Sequence, residues 1–435
     1  MRIKSLLLLV FCIIITKTYA SDQYALIIGI DKYEAPAKEE ILAKDRSGWS
    51  NLDGCVNDAL SMKEIIEVKY NFNKKNIKTL FNEQASRDNI IKSLEDLINN
   101  PNIKSGDVVF IYYAGHGSQV KNSLSKEMDL KDESMVPSDS YKGAKDIRDK
   151  ELAQYFNRLL AKGVVLTIIY DSCHSGSIGR GPTGSQPKLR YMEASSNDAK
   201  DASEPSKPED NGALIISAAQ DHEFAKEQKD DQGNPHGAFT LALMQAIKNL
   251  PATASAQDIF SSARAILKYN GQTQEPVIAG NDKRVRGTLF GISRDNLRGK
   301  LKVAVIGKES DKLQMQGGLA VGLNIKSQLI HVKGKDTVLL EVIELDGVNR
   351  CYAKAIKGKI KDVSVGELFE LKIWSSGNAS NLKVYIPKSG LNTQELYSQV
   401  KKLYESDKNL VSNFVTDPTQ VLANKTIYYS GEWVL

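Results

Sequence analysis

"DVVFIYYAGHGSQ", residues 107–119, carries behind Asp107 an unbroken run of β-branched and aromatic residues, followed by a histidine held between two glycines. A run that is apolar at every position, not at alternate ones, suits a strand covered on both faces, as in a parallel sheet. Three more runs read the same way: "YALIIGI" (24–30), "VVLTIIY" (164–170) and "ALIISAA" (213–219). Parallel strands need crossover helices between them. Ile90, Ile91, Leu94, Leu97 and Ile98 fall at helical spacing behind Ser86, a candidate N-cap, and stop at Pro101; Leu152, Phe156, Leu159 and Leu160 repeat the pattern before Gly163. The expected fold is α/β, a mostly parallel sheet with helices on both faces.

The chain has 435 residues, too many for one core, and its texture divides it. Residues 1–20, "MRIKSLLLLVFCIIITKTYA", carry Arg2 and Lys4, an apolar stretch and a small residue at Ala20, which is how an export signal is built. The stretch is short for a membrane span, and Cys12 lacks the small residues that precede a lipidated cysteine. The mature chain is expected to start near Ser21, to have no integral membrane span, and to be periplasmic or secreted. A sheet domain over 21–292 follows. Within it, residues 180–212 are proline-rich and polar and read as an exposed, flexible linker. From 295 to 435, runs such as "LKVAVIG", "TVLLEVIEL" and "LFELKIW" point to a second, β-rich domain without a chemical motif.

Loss of the signal would take the net charge from +5 to +2, too little to argue for a nucleic-acid partner or an anionic membrane. Cys55, Cys173 and Cys351 are odd in number and scattered, so no disulfide framework is indicated. The five histidines make no zinc-ligand spacing with one another or with a Cys-x-x-Cys pair.

In an open α/β sheet, ligands gather beyond the carboxyl ends of the strands. Two such ends carry chemistry: His116 in "AGHGSQ" and Cys173 in "YDSCHSGS". Alone, a cysteine there is ordinarily a small core residue and a histidine merely polar. Together they form the Cys-His arrangement of acyl transfer, in which an imidazole raises the reactive thiolate fraction.

"YYAGHGSQ" and "YDSCHSGS" resemble the catalytic blocks of metacaspases and bacterial orthocaspases, caspase-like cysteine peptidases. The resemblance extends over about 270 residues through "YALIIGIDKY", "LDGCVNDA" (52–59), "DESMVPSD" (132–139), "HGAFTLALMQAI" and "QTQEP". It implies Cys173 as nucleophile, His116 as proton donor to the leaving amine, and the backbone amides of Gly117 and Cys173 as the oxyanion hole. Asp58 and Asp171 would line a pocket for arginine or lysine, with Cys55 and Ala114 beside them, so the implied partners are peptides or proteins carrying Arg or Lys at the cleavage site. His174 receives no catalytic role. Many members bind calcium through clustered carboxylates, here Asp132 and Asp149. Lys150 stands where the motif has a further carboxylate, so no required cofactor and weak or absent calcium dependence are expected. Self-cleavage is expected within 180–212, after Lys188 or Arg190, with Arg180 and Lys207 as further basic residues there. Two other readings share these signals: a catalytically weak caspase-fold scaffold whose β-rich C-terminal domain recognises a partner, and a different peptidase of the legumain, clostripain or gingipain kind.

Overall fold

The structure, a computed structural model, describes residues 21–46, 48–173, 188–220, 223–291, 301–333 and 336–375, with short pieces beyond; residues 1–20, expected as an export signal, and His174 and Arg180 lie outside these. Its residues fall into two compact units.

The first unit is built on a six-stranded sheet. Strands β1 (Gln23–Gly29), β2 (Ile77–Phe81), β3 (Val108–Ala114), β7 (Val165–Asp171), β8 (Leu214–Ser217) and β11 (Val277–Ala279) lie in the order β11-β8-β7-β3-β1-β2, all parallel except β11. The four apolar runs are β1, β3, β7 and β8, and Leu26, Ile27, Phe110, Tyr112, Ile168 and Ile169 are buried as two-sided coverage requires. The long helices of this unit are α1 (Cys55–Tyr70), α2 (Arg87–Asn99) and α3 (Asp149–Ala161). Ser86 caps α2 by accepting from the amide of Asn89.

Register decides where the chemistry goes. Gly29 pairs with Ala114, and Ala114 with Asp171, so β1, β3 and β7 end at one level and the segments that follow them emerge side by side. A three-stranded antiparallel sheet grows from that edge: β4 (Gly117–Lys121), β5 (Lys131–Met135) and β6 (Ile147–Arg148). The ribbon of β9 (Glu227–Lys229) and β10 (Pro235–Gly237) follows β8.

The second unit contains helices α4 (Ala238–Asn249) and α5 (Ala256–Tyr269) and a closed barrel. The barrel strands are β12 (Lys302–Lys308), β13 (Leu313–Gln316), β14 (Gln328–Lys333), β15 (Asp336–Asp346), β16 (Arg350–Lys357) and β17 (Leu368–Ile373), in the order β12-β13-β16-β15-β14-β17. Closure leaves no open edge, and Val305, Met315, Leu329, Leu340, Cys351 and Phe369 fill the interior. By contact, two helices that lie before residue 292 group with strands that lie after 295. Among the described residues, no helix is long and apolar enough to cross a membrane.

Of the segment 180–212, residues 180–187 lie outside the described residues; most of 188–204 is exposed or half-buried, as expected of a polar stretch, but Arg190 is fully buried and Met192 and Ser195 nearly so. Polar composition left them no core of their own, but pairing to strand backbone and to opposite charges orders them.

Candidate active site

Cys173 follows β7 by two residues and His116 follows β3 by two, so the level strand ends bring their loops together. Gly117 is required there: a Cβ on it would stand 1.6 Å from the carbonyl oxygen of Cys173. Free of that Cβ, the amides of Gly117 and Cys173 both donate to one acceptor, the carbonyl oxygen of Arg190, at 3.0 and 3.1 Å. Two amides converging on one carbonyl form the geometry of an oxyanion hole.

Arg190 reaches this position as part of an added strand. Its amide donates to the carbonyl of Ala225 at 3.0 Å, and the amide of Glu227 donates to the carbonyl of Lys188 at 2.9 Å. Residues 188–190 therefore run antiparallel to 225–227, with Leu189 opposite Lys226. Beyond the Arg190–Tyr191 bond the chain turns along β4: the amides of Met192 and Ser195 donate to the carbonyls of Gly117 and Gln119 at 2.9 and 2.8 Å.

The side chain of Arg190 enters a pocket of carboxylates. Its Nη2 lies 2.6 Å from Asp58 Oδ2 and 3.3 Å from Glu227 Oε1, and its Nη1 lies 3.1 Å from Asp171 Oδ2. Burial alone would lower the pKa of this guanidinium, but Asp171, Cys55, Asp58 and Glu227 outweigh it and hold the charge firmly in place. Asp58 lies in the first turn of α1, whose amides are tied down by acids: Asp31 accepts from Cys55 N at 2.7 Å and Glu227 from Gly54 N at 2.9 Å. Cys55 Sγ lies 3.9 Å from Glu227 Oε1, and burial pushes its thiol well up. Ala114 ends β3 opposite Asp171, its register partner on β7, and its carbonyl accepts from Ile30 N at 3.0 Å.

The ring of His116 is fixed by its far nitrogen. Nε2 lies 2.7 Å from the carbonyl oxygen of Ser50, an acceptor only, so Nε2 carries the hydrogen. The lone pair is then on Nδ1, which is buried without a hydrogen-bond partner. Burial lowers the pKa of this imidazole to about 4, the Ser50 bond opposing and the Arg190 charge adding to the effect. Cys173 Sγ accepts from the amide of Ala225 at 2.9 Å, and burial pushes its thiol up to about 12. With Arg190 in place the site therefore holds a neutral thiol and a neutral imidazole.

Sequence reading brought Cys173, His116, Gly117, Asp58, Asp171, Cys55 and Ala114 to this region and missed Glu227, His236 and Ser50. It also treated Lys188 and Arg190 as equals. The structure separates them: Lys188 pairs with Asp53 at 2.8 Å, both half-exposed, outside the pocket.

The candidate calcium residues lie elsewhere. Asp132, on β5, is 2.7 Å from Arg148 Nη1 and 3.1 Å from Lys150 Nζ, and it accepts from Asn122 Nδ2 at 2.9 Å. Arg148 and Lys150 also hold Asp201 and Glu204, each at 2.8 Å, so two cations join β5 to the chain beyond the added strand. Asp149 is pushed up to about 6 by burial, with the neighbouring Asp132 adding to it. This donor set does not fit a divalent ion, because the charge of Asp132 is already met by an ammonium and a guanidinium.

Comparison with known proteins agrees in outline. A family model described as "Caspase domain" matches residues 22–285. Metacaspase-1 of Plasmodium falciparum is 32% identical over 249 residues, 54% of this chain and 36% of that protein. Metacaspase-9 of Arabidopsis thaliana is 34% identical over 134 residues, 30% of this chain and 40% of that protein. The chain thus spans well under half the length of these relatives. Among solved structures, caspase-1 of Spodoptera frugiperda aligns at 11% identity over 60% of this chain and 86% of that one, with a TM-score of 0.38.

Proposed function

This chain belongs to the caspase domain family, and we propose that it is an exported cysteine endopeptidase of metacaspase type that cuts after arginine or lysine and processes itself between Arg190 and Tyr191. One observation carries the reading: Arg190 has its side chain among Asp58, Asp171 and Glu227 while its carbonyl accepts from Gly117 and Cys173. That placement supports the reading, because a substrate arginine ahead of its scissile bond would be held by the same groups.

The chemistry follows from the residues. The Cys173 thiol gives its proton to His116 Nδ1, and the thiolate adds to the carbonyl carbon of Arg190. The resulting oxyanion stays between the amides of Gly117 and Cys173, where each donor is worth roughly 100- to 1,000-fold in rate. His116 then passes the proton to the nitrogen of Tyr191 as the C–N bond breaks, leaving a thioester on Cys173 and a new amino terminus at Tyr191. Water, deprotonated by His116, adds to the thioester; the C–S bond breaks, Arg190 is left with a carboxylate, and the thiol is restored. Once the Lys188–Arg190 strand leaves, peptides bearing arginine or lysine can take its place.

The test is a matched set of peptides ending in Arg, Lys, Asp and Leu before the scissile bond, offered to the processed chain. Turnover of Arg and Lys peptides at least 100-fold above Asp and Leu is expected. Preference for Asp or Leu would overturn the pocket assignment.

A further inference from the structure

Asp58 is fully buried and is approached from two sides. Its Oδ2 meets Arg190 Nη2 at 2.6 Å, the shortest of the pocket's three carboxylate–guanidinium contacts, and its Oδ1 meets His236 Nδ1 at 2.8 Å. His236 belongs to β10, just before α4. It is nearly buried, with 6% of its surface exposed. It does not contact Arg190 through any hydrogen bond or ion pair described for these residues.

The placement of His236 is itself fixed. Gly54 lies so close that a Cβ on it would stand 2.7 Å from the His236 backbone. Asn57 Nδ2 donates to the carbonyl of Pro235 at 2.9 Å. On the far side of the ring, Nε2 lies 3.7 Å from Asp230 Oδ2, and Asp230 is held in turn by Asn234 Nδ2 at 3.0 Å. The ring is thus lodged between the first turn of α1 and the turn joining β9 to β10.

A buried carboxylate keeps its charge and its orientation only if its oxygens find donors. We propose that His236 is a positioning residue: by donating from Nδ1 to Asp58 Oδ1 it turns Oδ2 toward the cationic side chain of the substrate. The inference rests on the pocket reading above. An interaction that acts equally on bound substrate and transition state appears in KM and leaves kcat alone.

The discriminating pair of variants is His236→Asn and His236→Gln, measured on an arginine peptide with the processed chain. The Asn amide nitrogen falls near the position of Nδ1, whereas the Gln amide nitrogen falls near that of Nε2. Expected is a KM for His236→Gln about tenfold above wild type with kcat within twofold, and a KM for His236→Asn within about threefold of wild type. His236→Ala should resemble the Gln variant; if it does not fold, the Asn and Gln pair still decides. Unchanged KM in His236→Gln, while the wild type prefers basic peptides, overturns this inference and leaves the pocket reading standing. A fall in kcat with KM unchanged, or Asn and Gln variants equally impaired, also overturns it, as either result marks a merely structural role. A wild type indifferent to basic residues overturns both.

Discussion

The carbonyl oxygen of Arg190 and the amide nitrogen of Cys173 are 3.1 Å apart, while the Arg190 guanidinium is sealed among three carboxylates. On the proposed reading, a chain that places its own peptide bond this way would be at once substrate and inhibitor, and no other arginine could enter while the bond is intact.

Arg190→Ala should stop cleavage at 190–191, leaving the chain full length over the time in which the wild type is completely cut. Lys188→Ala should be cut at nearly the wild-type rate, because the half-exposed pair with Asp53 is worth less than about 1 kcal/mol. A denaturing gel over a time course reads both. Equal slowing of the two variants would contradict the assignment of Arg190 to the pocket.

Removing a pocket carboxylate should lower kcat/KM for arginine peptides. Truncating one partner of a buried charge pair costs roughly 2–5 kcal/mol, or tens- to thousands-fold. Asp58→Ala and Asp171→Ala should fall in that range. Glu227→Ala should fall least of the three, since its contact with Nη2 is the longest at 3.3 Å. Steady-state kinetics on the processed variants would show it, and a Glu227→Ala enzyme with wild-type kcat/KM would remove Glu227 from the pocket.

How much of this was legible in the sequence follows from what each residue depends on. The strands, the Ser86 cap and the Cys173–His116 pairing are local patterns placed at equivalent strand ends, and the alternation of strands and helices sufficed to join them. Glu227 and His236 gave no such sign. Each becomes part of the pocket only because β9 and β10 fold back onto the first turn of α1, a contact some 170 residues long in sequence. Ser50 acts through its carbonyl, which no side-chain pattern reveals. The burial of Arg190 was hidden for a related reason: it comes from carboxylates on three other elements, and composition reports only what a segment can bury by itself.

Acid should weaken the uncut fold through His116. Burial holds this imidazole at a pKa of about 4 against an ordinary 6.5. The unfolded chain therefore takes up a proton that the folded chain refuses as pH falls between those values. Stability is full above about 6.5 and is lost toward 4, by roughly 3 kcal/mol for a shift of this size. Urea unfolding from pH 7.5 to 4 should show a Cys173→Ala chain losing about that much more than Cys173→Ala carrying His116→Gln. Identical losses would mean that His116 is not buried as a neutral group.

Calcium should make little difference. Asp132 is matched by Arg148 and Lys150, so an entering ion would have to displace two fixed cations. Peptide turnover in excess chelator and in low-millimolar calcium should agree within about twofold. Strong activation by calcium, abolished by Asp132→Ala, would contradict this.

Whether the uncut chain holds Arg190 as its own substrate against Cys173 is read from the intact mass of both fragments after the purified chain is incubated alone. Expected is a single cut in the wild type between Arg190 and Tyr191, at a rate independent of protein concentration, and none in Cys173→Ala. A cut at another bond, or the same cut in folded Cys173→Ala, would contradict it.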